Sequence, residues 1–250
     1  MKPQVLRYES LPSTNSEIAR FALQGADEGL AVIADEQTAG RGRLQRAWSS
    51  PKGAGLYFSI LLRPSITTDR WPLITFVAAL ATGDALLEAA KVQTDIKWPN
   101  DLLANERKIC GILAEAIETP AGRAVVVGIG INLTQDAFPR ELVDVATSVA
   151  KESGRRPERE ALLTALLNAL RRWYSLLHEA DGAEKVVAAW SSRSSYAFGK
   201  VVQVTNGDEV VQGITRGVAN DGALRLETAQ GIQLIRAGDV TSVRPARMNV

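Results

Sequence analysis

The chain has 250 residues, 46% of them hydrophobic and 23% charged, which suits a soluble globular protein with one sizeable domain and at most a small appendage. Its 29 basic and 28 acidic residues leave a net charge of +1, so there is no global electrostatic footprint for nucleic acid. A single cysteine, Cys110, excludes an intrachain disulfide and a thiolate metal cluster; a single histidine, His178, removes most zinc sites and any serine triad with an imidazole base.

Residues 1–7 lack the apolar core of a signal peptide, and no run approaches the roughly 18 apolar residues of a membrane span, which predicts a cytoplasmic protein. After a short strand at 5–8, Thr14 with Glu17 three residues on predicts a capping box, and Gly25 closes the helix that follows. Ser13, Thr14 and Asn15 are more hydrogen-bonding side chains than a cap needs. The surplus can face a polar ligand at the helix N-terminus.

Residues 30–34 and 56–62 are apolar runs that read as buried strands. The segment between them carries Gly40, Arg41, Gly42, Arg43, Arg46 and Trp48. No acidic residue occurs between Glu36 and Asp69, while Arg41, Arg43, Arg46, Lys52 and Arg63 lie in that interval. A positive pocket for carboxylate or phosphate is the sharper reading, and a solvated basic loop the plainer one. A strand follows this loop where a P-loop or dinucleotide-binding turn leads into a helix, which excludes both. Its length predicts a functional loop that is mobile without ligand and ordered with it.

Residues 71–87 predict a core helix packed on a sheet. Trp98-Pro99-Asn100-Asp101 ends a strand in a rigid turn with Lys97 and Asp101 on either side, which alone means no more than an exposed turn with an ion pair. Strands at 108–116 and 124–133 form a meander. In the second, Gly128, Gly130 and Asn132 share one face while Val127, Ile129, Ile131 and Leu133 share the other. Two glycines on one face admit a close neighbour, either a packed aromatic ring or a flat ligand with Asn132 at its edge. A less regular stretch at 138–149 precedes an amphipathic helix starting near Pro157, a helix end at His178 that explains this histidine by the helix dipole, and a shorter helix around 186–190. From about residue 200 short strands at 201–204, 210–214, 223–227 and 232–236, with Asn206-Gly207 and Asp221-Gly222 turns, predict a small barrel docked on the first domain.

Taken together, Ser13-Thr14-Asn15, the 36–43 segment, Lys97-Trp98-Pro99-Asn100-Asp101, Lys108 with Gly111-Ile112-Leu113, and the 128–133 segment resemble the biotin protein ligase, or biotin–[acetyl-CoA-carboxylase] ligase, family. The resemblance runs from about Tyr8 to Val243 and includes Ala146-Thr147-Ser148 and Ala237-Gly238-Asp239-Val240. It implies an α+β fold: a class II synthetase-like mixed sheet in a catalytic domain at 1–198 and an SH3-like barrel at 199–250. The implied reaction joins biotin and ATP into biotinyl-5′-AMP, then transfers biotin to a lysine of a biotin carboxyl carrier protein.

By the same resemblance, Ser13, Thr14, Asn15 and Gln37 meet the ureido head of biotin, with Gly111 and Gly128 near its path. Arg41, Gly42 and Arg43 close over its carboxylate end. Lys108, Arg43 and Arg46 are the catalytic cations, with Lys108 also on the biotin. Arg43, Arg46, Trp48, Lys97, Asn100, Asp101 and Asn132 surround the adenylate, and Asp101 can instead orient the incoming lysine. Magnesium arrives with ATP and no dedicated metal site is expected. The resemblance also implies a possible homodimer and partners that include neither nucleic acid nor membrane. Two departures stand out: Gln45 replaces a usual glycine, and the motifs begin at residue 13, leaving no room for the DNA-binding domain of many relatives. The alternatives are a lipoate ligase or octanoyltransferase, with Cys110 near Lys108 hinting at an acyl-thioester, or a non-catalytic biotin-sensing or nucleic-acid-binding module.

Overall fold

The computed structural model describes residues 3–135 and 138–242, so residues 243–250 of the predicted barrel lie outside the described residues. Two sheets organise the chain. The first contains β1 (Gln4–Leu11), β2 (Leu30–Gln37), β3 (Gly55–Leu62), β4 (Asp95–Lys97), β5 (Asp101–Ala104), β6 (Arg107–Thr119) and β7 (Gly122–Asn132), in the order β1-β2-β3-β7-β6-β5-β4. β1 and β2 run parallel through the crossover helix α1 (Thr14–Leu23), and every other neighbour pair is antiparallel, so the sheet is mixed as expected. α2 (Leu73–Ala90) leaves β3; α3 (Val149–Ser153), α4 (Arg159–Leu177) and α5 (Gly182–Ser192) follow β7. The second sheet is antiparallel, with β8 (Phe198–Asn206), β9 (Glu209–Val218), β10 (Leu224–Thr228), β11 (Gly231–Ile235) and β12 (Asp239–Ser242) in the order β11-β10-β9-β8-β12.

Alternation along the central strands decides where the site lies. Leu56, Phe58, Ile60 and Leu62 of β3 and Val125, Val127, Ile129 and Ile131 of β7 face the larger core, which α2, α4 and α5 cover. That core continues into the second sheet through Val202, Val204, Leu224 and Leu226, so the small unit shares the core of the large one. On the opposite face α1 covers only one end, packing Ile18 and Ala22 on Val32, Leu61, Ala124 and Val126. Beyond the N-terminus of α1 this face continues as Ser59, Gly128, Tyr57, Gly130 and Asn132, a floor of small and polar groups. The apolar face of α1 ends where a cavity lined by Thr14, Gly128 and Gly130 begins.

Several local expectations need correction. The cap of α1 is Ser13, whose extended backbone lets its hydroxyl accept from Ser16 N, and Thr14 is already helical. The turn after Lys97 is not an exposed ion-paired turn: Trp98 is 2% exposed and donates from Nε1 to Gly222 O at 3.0 Å, Pro99 is cis, and Asp101 pairs with Lys108 instead of Lys97. α2 has 18 residues and a mean hydropathy of 1.6, long and apolar enough to cross a membrane, although Thr75, Thr82, Asp84 and Glu88 interrupt its apolar run. Of that helix 61% is buried inside the fold, as a core helix is. The strand β12 was not foreseen. His178 does end α4, with Nδ1 2.7 Å from Tyr174 O and Nε2 accepting from Ser65 N.

Candidate active site

The site begins at the N-terminus of α1. Thr14 donates from both its backbone N and its hydroxyl to Gln37 Oε1, at 2.8 and 3.0 Å, and Gln37 Nε2 donates to Ser50 Oγ at 2.8 Å. The Ser59 hydroxyl, fully buried, lies 2.7 Å from Thr14 Oγ1 and 2.6 Å from Asn15 Oδ1. Ser13, Thr14 and Asn15 are each under 5% exposed, so this polar network is internal and its groups are pre-set, as low-dielectric networks must be. A Cβ on Gly128 would fall on the Asn15 amide. Gly128 is therefore glycine because a side-chain amide lies on the strand there.

The loop from β2 to β3 folds over this face. Arg41 forms an isolated antiparallel bridge with Ala47, and Trp48 N donates to Gly40 O at 2.9 Å. The indole of Trp48 then lies across Gly111 and Gly130, a glycine pair in register on β6 and β7; a Cβ on either would approach it to 2.8 or 2.5 Å. Of the two occupants open for the glycine face, the packed aromatic ring is the one present at Gly130. Trp48 Nε1 is buried with no acceptor among the described residues. Leu44 and Gln45 hold left-handed backbones, φ 53° and 59°, conformations that glycine adopts freely and L side chains at some cost. This is the physical meaning of the departure at Gln45.

The arginines do not form a bare positive pocket. Carboxylates distant in sequence meet them: Arg41 lies 2.5 Å from Glu115, and Arg46 2.5 Å and Arg43 3.8 Å from Asp239; nearby, Lys108 lies 2.6 Å from Asp101. Arg43 also donates to Asn100 Oδ1 at 3.3 Å and Gly238 O at 3.2 Å, joining the loop to the second sheet. Burial holds the Arg43 guanidinium below its ordinary pKa, with Asp239 and Asp101 opposing the shift. Burial also lowers the Lys97 ammonium, against the pull of Asp101.

Two cavities meet here. The smaller, about 140 Å³, is bounded by Thr14, Gln37, Gly128 and Gly111, with Gly42, Arg43, Arg46 and Asn100. The larger, about 540 Å³, is bounded by Lys97, Asn132, Leu103, Phe138, Ala146 and Tyr196. Trp48, Tyr57, Asp101 and Lys108 line both. Asn132 donates to Thr147 O at 3.0 Å, and Asn100 to Ile112 O at 2.6 Å, so both amides also brace the wall. Ser13 serves as the helix cap and Arg41 reaches Glu115, so these two bound the site from outside. Glu115, Asp239, Ser59 and Tyr57 were not foreseen. Glu115 alternates with Gly111 and Leu113 on β6, a period-two signal that was available; Asp239 stood within the Ala237-Gly238-Asp239-Val240 segment, but nothing along the chain tied it to the arginine loop.

A small polar pocket opening on a larger cleft, with cations at the junction, suits a polar ligand whose anionic end meets a second anion there. Comparisons with known proteins agree. The Biotin/lipoate A/B protein ligase family matches residues 8–132, and the biotin protein ligase C terminal domain matches residues 197–241. The biotin–[acetyl-CoA-carboxylase] ligase of Paracoccus denitrificans is 37% identical over 236 residues, 91% of this chain and 96% of that protein. The bifunctional ligase/repressor BirA of Bacillus subtilis is 36% identical over 243 residues, 96% of this chain and 74% of that protein. The solved biotin protein ligase from Aquifex aeolicus, in complex with biotin and ATP, superposes with a TM-score of 0.83 at 30% identity, covering 97% of this chain and 99% of that one. The shared fold, the site and the extent of these matches place the chain in the Biotin/lipoate A/B protein ligase family.

Proposed function

We propose that the protein is a biotin protein ligase that converts biotin and ATP to biotinyl-5′-AMP and pyrophosphate and then passes the biotinyl group to a lysine of a carrier protein. The observation that carries this reading is the Lys108–Asp101 pair in the wall common to both cavities, the place where a biotin carboxylate in the small one would meet an ATP phosphate in the large one. The ring of biotin sits by Thr14, Asn15, Gln37 and Gly128, and ATP lies toward Lys97 and Asn132. In the first step a biotin carboxylate oxygen attacks the α-phosphorus and the bond to the pyrophosphate oxygen breaks. Lys108, Arg43 and Arg46 stabilise the charge that develops there. In the second step the carrier lysine attacks the acyl carbon, AMP leaves, and Asp101 orients the amine. Magnesium would come with ATP and screen its phosphate charge; Asp101 and Asp239, which border the small cavity and face Lys108 and Arg46, are the carboxylates that would hold it.

On this reading a catalytic unit at 1–198 holds both substrates, and the C-terminal unit that begins at 199 brings Asp239 and Thr241 to the cavities. The partner is a biotin carboxyl carrier protein or domain in the cytoplasm, without nucleic acid or membrane, and a homodimer is one possible assembly. The acyl-thioester alternative needs a reactive thiol, whereas Cys110 is fully buried and its pKa is raised by that burial. The test is incubation with ATP, labelled biotin and a carrier domain, repeated with Lys108→Ala. That variant should lose roughly 10²–10³-fold in biotin-dependent pyrophosphate exchange, the scale for one preorganised charge-stabilising donor. Exchange at the wild-type rate would overturn the assignment.

A further inference from the structure

Glu115 has two neighbours that belong to different parts of the site. Its Oε2 accepts from Asn15 Nδ2 at 2.9 Å, and its Oε1 lies 2.5 Å from Arg41 NH2. Asn15 Nδ2 also donates to Leu113 O at 3.2 Å, while Asn15 Oδ1 accepts from Ser59. A carboxylate and a carbonyl only accept, so they force the NH2 end of Asn15 toward β6 and its oxygen toward Ser59 and Gly128. With both hydrogens used, Asn15 can offer a ligand over Gly128 only an acceptor. That favours a partner presenting an N–H, such as a cyclic urea, over one presenting a carbonyl. Glu115 thus decides which end of a 4% exposed amide is available.

The other oxygen of Glu115 anchors the loop. Arg41 is bridged to Ala47, next to Trp48, and the same loop carries Arg43 and Arg46. One carboxylate therefore ties the ring-end amide to the segment that closes over the reacting end. We infer that Glu115 is a positioning residue that couples recognition of the ureido ring to seating of the 38–54 loop. This rests on the ligase reading and adds to it a residue that touches neither substrate.

The test is Glu115→Gln, which keeps the shape but turns one oxygen into a donor. An NH2 then faces either Asn15 or Arg41, and both contacts cannot survive. By calorimetry the Kd for biotin should rise about tenfold, the scale of one hydrogen bond left unmade. Preference for biotin over an analogue methylated on a ureido nitrogen should fall by a similar factor. Biotin should slow tryptic cleavage at Arg41, Arg43 and Arg46 in the wild type but not in the variant. A merely structural role would move none of these readouts while lowering the unfolding temperature. Arg41→Gln, a change at a half-exposed side chain that leaves β6 intact, should lose the protection at Arg43 and Arg46 but keep the preference between the two ligands. Unchanged biotin affinity, preference and protection in Glu115→Gln, or full protection in Arg41→Gln, overturns the coupling. A wild type that does not bind biotin overturns the ligase reading itself, and the coupling with it.

Discussion

Gly128→Ala tests the floor of the ring pocket directly. The added Cβ would meet Asn15 Cγ at 2.9 Å and Nδ2 at 3.2 Å, with Oδ1 closer still. Asn15 cannot swing aside, because Ser59, Leu113 and Glu115 hold it on three sides. Either the strand shifts or the amide leaves its partners. Overpacking of this kind costs about 1–3 kcal/mol, which for a chain of this size lowers the unfolding temperature by about 2–12 °C. The same displacement removes the acceptor placed for the ligand, so biotin should bind on the order of 10–100-fold more weakly, the range for a buried polar group left unsatisfied. Thermal unfolding followed by circular dichroism and titration calorimetry with biotin measure the two effects separately. A variant that unfolds within about 1 °C of wild type and binds biotin equally well would show that the strand has room for a methyl group and that Asn15 is not the ring contact.

Arg43→Ala removes the guanidinium that joins the loop to Asn100 and Gly238, so biotinyl-5′-AMP should dissociate about tenfold faster or more, on the scale of a charged hydrogen bond. Retention of labelled adenylate on gel filtration, with no biotin on bystander lysines, would count against this. Cys110→Ala should cost about 1 kcal/mol of stability, as a typical core truncation does, and leave biotin transfer intact; loss of transfer in a folded variant would revive the thioester route. Lys97 has a folded-state pKa below its unfolded value, so between those two values the unfolded chain binds more protons and stability rises with pH. Denaturant unfolding of wild type and Lys97→Met across that alkaline window should therefore show the wild type gaining on the variant as pH increases. A constant difference would mean that the Lys97 ammonium is not desolvated.

Strands, helices and glycine faces were legible because they depend on local periodicity. β3 is buried along its whole length, and its apolar run showed as much; toward its end β7 carries Val127, Ile129 and Ile131 on one face and Gly128 and Gly130 on the other. The motif residues were legible as motifs, but their partners were not. Hydrogen-bonding triplets such as Ser13-Thr14-Asn15 do not reveal that one caps, one holds Gln37 and one leans on Gly128. The arginine loop contains no acid of its own, yet Asp239 and Glu115 neutralise it. Charge pairing across more than 70 residues is invisible to a reading that moves along the chain.

Lys108 shows the division most clearly. In a regular strand Lys108 and Gly111 would point to opposite faces, since side chains alternate with a period of two. The pairing of β5 with β6 shifts register between Leu102 and Leu103, which face Cys110 and Lys108, leaving one extra residue on β6. That bulge turns Lys108 onto the face of Gly111, where Lys108 Cε lies 3.2 Å from the place of a Gly111 Cβ. The sequence by itself determined the elements, the core face and the kinds of group available, because these follow from local pattern and composition. Only the tertiary structure decided which charges meet, which end of Asn15 is exposed and on which face Lys108 stands, because these depend on strand register and on contacts between residues far apart in the chain.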